Sequence, residues 1–301
     1  MDKNKASDIV RENLKSAHLS GEKRKMIFAA HVRELAYLIV SETLEEDNAY
    51  EFELACDAVR RRYSEFMADY KDGGSNLDVL GMDTMFCSYA AEFLLEREVY
   101  PTEPEDFDTV FDGEIKIACF SNRASDRAYD AFAKHIPRAK QVMCDSIAAL
   151  CEEVADGRCE LGMLPIYSSS DGFMQSVYRH TQRNELSPVM SVNMRSDGDG
   201  YVRYFLFSAT PCRRKKASSM VLTVVSGDGD VSMLPAALGE YGAFLEDVTS
   251  PLPSIYDNTP AYRFTFSVKN ADMAKIRLFL QINFPRFVIN GIYEKSETEE
   301  K

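Results

Sequence analysis

The segment from Cys144 to Gly172 changes from a helical to a strand pattern within about thirty residues. Four apolar side chains recur at the spacing of one buried helical face, and Gly157 follows them where a left-handed helix cap is cheapest. These four are Ile147, Leu150, Cys151 and Val154. The apolar run from Leu161 to Ile166 then predicts a buried strand. A segment of this kind is typical of a sheet flanked by helices, so we expect an α/β fold here.

A hydroxyl-rich loop follows that strand, and we expect it to open a second helix. The loop carries Ser168, Ser169, Ser170 and Gly172. Hydroxyls and unpaired N–H groups at a helix start favour a carboxylate or phosphate, because the helix dipole places partial positive charge there. Serine also caps helices where no ligand binds, so a plain N-cap is the alternative interpretation.

The same segment resembles the signature of prephenate dehydratases. In that family a Cys-Asp-Ser opening precedes an acidic residue, a Gly, a Leu-Pro-Ile strand and a loop reading Glu-Asn-Ser-Ser-x-Gly. The matching positions here are Cys144, Asp145, Ser146, Gly162, Leu164, Pro165, Ile166, Ser169, Ser170 and Gly172. Tyr167 and Ser168 replace the family's Glu and Asn.

The stretch 115–128 is similar to the family's first strand, turn and helix. Ser125 and Ala128 match, whereas Cys119 and Asn122 replace two glycines. The resemblance implies a ligand site in this region, and its expected members are Ser125, Ser168, Ser169, Ser170 and Gly172.

Composition limits the classes of function. The net charge of −13 argues against a nucleic-acid surface, which needs clustered Lys and Arg. Seven scattered cysteines indicate reduced thiols rather than a zinc site or a disulfide framework, and we expect no cofactor and no metal. No apolar run is long enough to cross a bilayer, so we expect a cytoplasmic protein that contacts no membrane.

The 301 residues divide into three regions, which together predict a multidomain α/β protein. Residues 1–112 carry helical periodicity and end in a proline-rich, acidic stretch, so we expect an all-helical domain. Residues 113–211 alternate strand and helix. They are expected to form a single lobe that resembles half of a prephenate dehydratase domain, whose architecture is periplasmic-binding-protein-like. Residues 217–296 read as strand, helix, strand, strand, helix, strand, which is a ferredoxin-like order.

That last region resembles the regulatory ACT domain that follows the catalytic domain in prephenate dehydratases. The resemblance implies an effector site for an aromatic amino acid and a homo-oligomer formed through this domain. Its expected members are Gly229, Asp230, Val231, Thr249 and Ser250. A Gly-Asp pair before a helix is also ordinary turn and cap chemistry, which is the competing interpretation.

Catalysis in the family removes water and carbon dioxide from prephenate and uses a Thr-Arg-Phe motif. Arg203 matches the Arg, whereas Val202 occupies the Thr position and carries no hydroxyl. Only about thirty residues separate Gly172 from Val202, so the family's second lobe has no counterpart there. We therefore expect a protein that has lost catalysis, keeps Ser169, Ser170 and Arg203 as remnants, and senses an aromatic amino acid or a prephenate-like carboxylate or binds a partner.

Two alternatives remain open. In the first, the protein is an active prephenate dehydratase whose cleft is completed by another protomer or by the helical domain. In the second, the helical domain is a chorismate mutase, for which Arg11, Arg33, Glu34 and Arg61 are the candidate residues. An oligomerisation or partner-docking bundle is the simpler interpretation of that domain, because such arginines usually lie on solvated helix faces.

Overall fold

The computed structural model describes residues 22–70, 76–120, 122–195, 200–225, 230–253 and 259–296. These residues form two compact units, of which one is mainly helical and the other is built on a sheet. The multidomain α/β class predicted from the sequence is confirmed. The two units group the chain differently from the three expected domains, whose bounds stay a prediction.

The helical unit contains three long helices from the start of the chain and two helices from its last third. Amphipathic periodicity produces the long helices, and their apolar faces form the core of the unit. Within this core the ring of Tyr63 stacks on Phe86 at a centroid distance of 3.9 Å, and the Tyr63 hydroxyl donates to Asp83 at 2.6 Å. The helices are α1 (Glu22–Asp47), α2 (Phe52–Tyr70), α3 (Asn76–Glu96), α8 (Leu234–Glu240) and α9 (Met273–Asn283).

The second unit is built on a ten-stranded mixed sheet with the order β10-β11-β9-β12-β6-β7-β4-β2-β3, and β5 pairs with β4 outside this path. A separate pair, β1 with β8, lies parallel in the same unit. The strands are β1 (Glu105–Asp106), β2 (Ile115–Cys119), β3 (Ala139–Met143), β4 (Leu161–Ser168), β5 (Gly172–Phe173), β6 (Ser187–Arg195), β7 (Tyr201–Ser208), β8 (Cys212–Arg213), β9 (Ser219–Val225), β10 (Phe244–Pro253), β11 (Pro260–Ser267) and β12 (Phe287–Ser296). Its helices are α4 (Phe107–Val110), α5 (Arg123–Ala133), α6 (Ile147–Ala155) and α7 (Gln175–Arg183).

Strand β4 is buried on both faces, which explains its nearly continuous apolar sequence. Leu161 and Met163 pack in a core cluster with residues of α5, whereas Leu164 and Ile166 pack in a second cluster with residues of α6 and α7. Successive side chains of a strand point to opposite faces, so one short segment contributes to both cores.

The last four strands keep the order predicted for a ferredoxin-like unit. Their first strand, β9, lies between β11 and β12, and β10 is outermost. Strand β11 pairs antiparallel with both β10 and β9. The assignment of this region to the ACT family stays a prediction.

Strand β12, the last of these four, joins the other three to the rest of the sheet. The sequence did not indicate this connection. It pairs in parallel with β6, with Glu294, Lys295 and Ser296 opposite Met190, Ser191 and Val192. The predicted lobe and the predicted C-terminal strands therefore share one sheet.

The structure differs locally from the expectation for the serine loop. The loop does not open a helix, because it turns directly into β5, and α7 begins at Gln175. The residue before α7, Met174, makes no side-chain capping bond. The described residues between Gly172 and Val202 contain the helix α7 and the strand β6.

No helix among the described residues has both the length and the apolar character needed to cross a membrane.

Close packing of β4 on α6 gives a test of this fold. A Cβ atom at Gly162 would lie 2.8 Å from a methyl carbon of Leu150 and 2.9 Å from one of Val154, and both side chains are fully buried. We expect Gly162→Ala to lower the free energy of unfolding by about 1–3 kcal/mol through overpacking. The matched control is Gly113→Ala, because no atom lies within 4 Å of the added carbon. Chemical denaturation of both variants measures the difference, and equal stability of the two would contradict this packing.

Candidate functional site

The candidate site is built around the turn from β4 to β5, here called the serine hairpin (residues 167–173). The Ser168 and Ser170 hydroxyls lie 2.8 Å apart, and both lie within hydrogen-bond distance of the Asp171 carboxylate, at 3.1 and 2.9 Å. The Ser168 hydroxyl oxygen also accepts the backbone N–H groups of Ser170 and Asp171, each at 3.3 Å. Gly172 has φ +76°, a value that glycine adopts at no steric cost. The hydroxyls of Ser168 and Ser170 are therefore engaged within the hairpin.

Strand β7 holds the serine hairpin from the side. The backbone N–H of Ser169 donates to the carbonyl of Tyr201 at 2.9 Å, and the N–H of Tyr201 donates to the Ser169 hydroxyl at 2.8 Å. In the same register Val202 is the partner of Ser168. The residue beside the buried serine therefore has no group that could donate a proton.

Arg203 lies on β7 next to the hairpin, and its orientation is fixed by three neighbours. Its Nε donates to the Oδ1 of Asn193 at 2.9 Å. Its guanidinium carbon lies 5.8 Å from the ring centres of Tyr167 and Tyr201. Since Asn193 and Tyr167 are its register partners on β6 and β4, the sheet itself positions this cation.

A second arginine, Arg263 on β11, extends the site, and the sequence analysis missed it. Its guanidinium carbon lies 5.0 Å from the Phe173 ring centre and 5.6 Å from that of Tyr178. The side chain is only 8% exposed, and its Nε has no hydrogen-bond partner. Burial lowers the pKa of Arg263, and the nearby charge of Arg203 lowers it further.

No signal in the sequence could have identified Arg263 as part of this site. On β11 the apolar residues Tyr262, Phe264 and Phe266 alternate with Arg263 and Thr265, a pattern that predicts one dry face and one solvated face. The second face is in fact covered, because Phe173 and Tyr178 lie against Arg263.

Ser125, predicted to bind a ligand, is buried in the first turn of α5, where Asn122 caps the helix by accepting the Ser125 N–H at 2.9 Å. Burial raises the pKa of Tyr204, and a hydrogen bond with Ser125 partly opposes that rise. The side chain of Ser125 is thus engaged inside the core around α5, and its role in ligand binding stays a prediction.

The expected effector residues fall into different compact units. In the helical unit, Asp230 caps the short 3₁₀ turn Val231–Met233 by accepting from the N–H and the hydroxyl of Ser232 at 3.0 and 2.7 Å. In the sheet unit, Thr249 is the register partner of Arg263. Ser250 is described only as backbone of β10, and Gly229 lies outside the described residues. An effector role for these five residues stays a prediction.

The thiols do not offer an activated nucleophile. Burial is the main reason that the pKa of Cys144, the most exposed of the seven cysteines, is raised, and the pKa values of Cys151 and Cys212 rise to about 12. A raised pKa means less thiolate at neutral pH, which is the opposite of what nucleophilic catalysis requires. In the part of the chain that the structure describes, no group of three or more His, Cys, Asp or Glu side chains could hold a metal ion.

In the helical unit, two of the candidate mutase residues share an apolar groove of about 540 Å³. Arg33 and Glu34 line it, and the Arg33 guanidinium carbon lies 6.0 and 5.8 Å from the rings of Tyr89 and Phe93. Arg61 is exposed, and Arg11 lies outside the described residues.

No protein-family model and no curated protein matches the chain. Among solved structures it is similar to prephenate dehydratase from Streptococcus mutans, with 15% identity, 60% of this chain and 100% of that chain covered, and a TM-score of 0.48. It is similar to GqqA, described as a novel type of quorum quenching acylase, with 18% identity and a TM-score of 0.48. That match covers 61% of this chain and 97% of that chain. It is also similar to prephenate dehydratase in complex with L-Phe from Arthrobacter aurescens, with 11% identity and a TM-score of 0.46. That match covers 60% of this chain and 90% of that chain. These likenesses assign no activity to this chain.

The hydrogen bonds of the serine hairpin predict unequal roles for two of its serines. Ser168 is buried and its hydroxyl makes four hydrogen bonds, so Ser168→Ala removes the acceptor of the backbone N–H groups of Ser170 and Asp171. We expect that variant to lose about 1–3 kcal/mol of stability. Ser170→Ala is the matched control, since Ser170 is exposed, and it should change stability by about 0.5 kcal/mol or less. Thermal and chemical unfolding compare the two variants, and an equal loss would show that the hairpin is not organised by Ser168.

Proposed function

We propose that the protein binds a small carboxylate-bearing molecule beside the serine hairpin and acts as a non-catalytic sensing or partner-binding protein related to prephenate dehydratases. The observation that carries this proposal is the combination of two arginines, Arg203 and Arg263, with a hairpin whose single acid, Asp171, already lies within hydrogen-bond distance of two serine hydroxyls. Cations hold a carboxylate, but elimination of water also needs a group that protonates the departing hydroxyl.

Two features at the serine hairpin argue against catalysis. Val202 supplies no hydroxyl beside Ser168. Asp171, the one acid in residues 167–173, already lies within hydrogen-bond distance of two serine hydroxyls. Each missing donor of the oxyanion-hole type costs on the order of 3 kcal/mol of transition-state stabilisation. A carboxylate ligand could therefore be held here, but its conversion would be slow.

The sequence resemblance suggests which carboxylates to test. They are phenylalanine, tyrosine, tryptophan, prephenate and chorismate. A ligand that binds only the folded protein raises the melting temperature according to its concentration relative to its dissociation constant.

We expect at least one of these five compounds to raise the melting temperature of the wild-type protein while no phenylpyruvate forms from prephenate above the uncatalysed rate. Arg203→Met is expected to reduce the thermal shift, because a methionine keeps most of the side-chain volume and removes the charge. A thermal-shift series with a coupled phenylpyruvate assay makes both measurements. Phenylpyruvate formation at ordinary enzymatic rates would refute the loss of catalysis, and five compounds without effect would refute ligand sensing.

The second candidate function is an active prephenate dehydratase whose cleft is completed by another protomer or by the helical domain. It is favoured by the position of Arg203, which the sheet holds directly beside the serine hairpin. This alternative requires another group to replace the hydroxyl that Val202 lacks.

An active site of this kind makes Arg203 indispensable. Arg203→Ala should then lower kcat/KM by at least a factor of about 100, because a charged contact to a carboxylate contributes several kcal/mol in a water-poor site. Lys295→Ala is a suitable control, since Lys295 is an exposed cation of the same sheet that pairs with Glu246. Turnover that is unchanged by Arg203→Ala would exclude the second candidate.

A further inference from the structure

Arg263 is a buried cation. Among the described residues it forms no ion pair that would neutralise its charge. It is 92% buried, as its 8% exposure shows, and its Nε neither reaches solvent nor meets an acceptor. Asp247 on the neighbouring strand β10 favours the charged form of Arg263 from a distance, but this acid is exposed and makes no hydrogen bond to it. A buried charge with an unmet N–H is unfavourable unless something supplies the missing partner.

The two aromatic rings beside Arg263 meet only part of that requirement. Phe173 and Tyr178 attract the positive charge through their ring faces, but a ring face does not replace an oxygen acceptor for the in-plane Nε–H. Tyr178 is held in place by a hydrogen-bond chain, since its hydroxyl lies 2.9 Å from that of Thr223, which donates to Asn290 at 2.6 Å. Hydrogen bonds therefore hold Tyr178 beside the guanidinium.

Charges of both signs lie around Arg263. Burial is the main reason that the pKa of Arg263 is lowered, and Arg203 lies close enough to oppose its charge, whereas Asp247 favours it. The hydroxyl of the fully buried Tyr293, which also lies close enough to affect Arg263, sits beside Ser219 without a hydrogen bond of normal geometry. Two polar groups without partners and two cations mark the same region of the sheet unit.

We propose that Arg263 is the anchor of a buried carboxylate site, in which the Nε edge of its guanidinium binds the carboxylate of a monoanionic ligand with an apolar or aromatic body. The proposal rests on the proposed function and assigns the ligand's charged contact to Arg263 rather than to the serine hydroxyls. A planar guanidinium matches a carboxylate through two parallel N–H bonds, and the apolar rings favour a monoanion over a more strongly hydrated phosphate dianion.

Entry of a ligand requires a movement of the serine hairpin. The Nε of Arg263 is closed off by its neighbours, and Phe173 lies on β5, a strand of only two residues that pairs with β4 alone. Displacement of the Phe173 ring, which lies against the guanidinium, is the movement that such a site would need. Ligand binding at Arg263 is thereby coupled to the position of the serine hairpin.

Isothermal titration with phenylacetate tests the site on the full-length protein. Phenylacetamide is the matched control ligand, because it has nearly the same shape and no charge, and inorganic phosphate tests for a general anion site. We expect wild-type protein to bind phenylacetate at millimolar concentration or below and to bind neither control. Arg263→Met should weaken phenylacetate binding about 100-fold, whereas Arg203→Met should weaken it by about 10-fold or less.

The melting temperature without ligand gives an independent readout with a definite sign. If Arg263 is kept for binding, Arg263→Met removes an uncompensated buried charge and should raise the melting temperature. If Arg263 is only structural, the same variant should melt at a lower temperature. Arg263→Lys keeps the charge but loses the planar fork, so it should fold like the wild type and bind phenylacetate more weakly.

The outcomes separate this inference from the proposed function. Equal phenylacetate binding by wild type and Arg263→Met, no binding by wild type, equal binding of phosphate, or a lower melting temperature of Arg263→Met would each overturn the carboxylate site at Arg263. The proposed function would survive those results if any of the five aromatic metabolites still shifted the wild-type melting temperature. If Arg263→Met does not fold, that too counts as a structural role and overturns the inference.

Discussion

The parallel pairing of β12 with β6 is the interaction on which the sheet unit depends. Three residue pairs form the junction, and the ion pair between Arg214 and Glu294, with Nε and Oε2 2.7 Å apart, lies next to it. Without this junction the last four strands would form a separate sheet, and the face that carries Arg263 would meet water. With it, Val221 and Tyr293 share a core cluster with residues of β4 and α7.

Because that face is covered, Arg263 is shielded from water, and this determines the electrostatics of the candidate site. An arginine on a solvated strand needs no partner, because water satisfies its N–H groups. The same arginine becomes costly once Phe173 and Tyr178 cover it, since desolvation of an ion costs several kcal/mol and cation–π contacts return about 2 kcal/mol. The fold thus places an unfavourable charge where a ligand could make it favourable.

The sequence predicted the elements well and their assembly only in part. The helices α1 to α3, strand β4 and the βαββαβ order follow from periodicity, which is a local property of the chain. The β6–β12 junction brings together segments about one hundred residues apart, and no local pattern encodes such a pairing. Arg263 was missed for that reason, because its strand pattern alone predicts a solvated side chain.

The serine loop shows a different limit of sequence reasoning. Its composition suits a helix start, yet Gly172 at φ +76° turns the chain back along β4, and the hydroxyls of Ser168 and Ser170 are used within the turn. The matches Ser169, Ser170 and Gly172 are therefore compatible with an anion cradle and with a purely structural turn.

Electrostatics decides which side of the site suits an anion. A carboxylate at the serine hydroxyls would have to break their hydrogen bonds and would meet the negative charge of Asp171. A carboxylate at Arg263 would meet an unpaired N–H and the positive charges of Arg263 and Arg203, and the exposed Asp247 would oppose it only from a distance. Each displaced serine bond costs about 1 kcal/mol, and repulsion between like charges adds to this cost, whereas a charge-assisted bond to a desolvated guanidinium contributes about 1.5–3 kcal/mol. For the proposed carboxylate ligand, electrostatics therefore favours the arginine side over the serine hydroxyls.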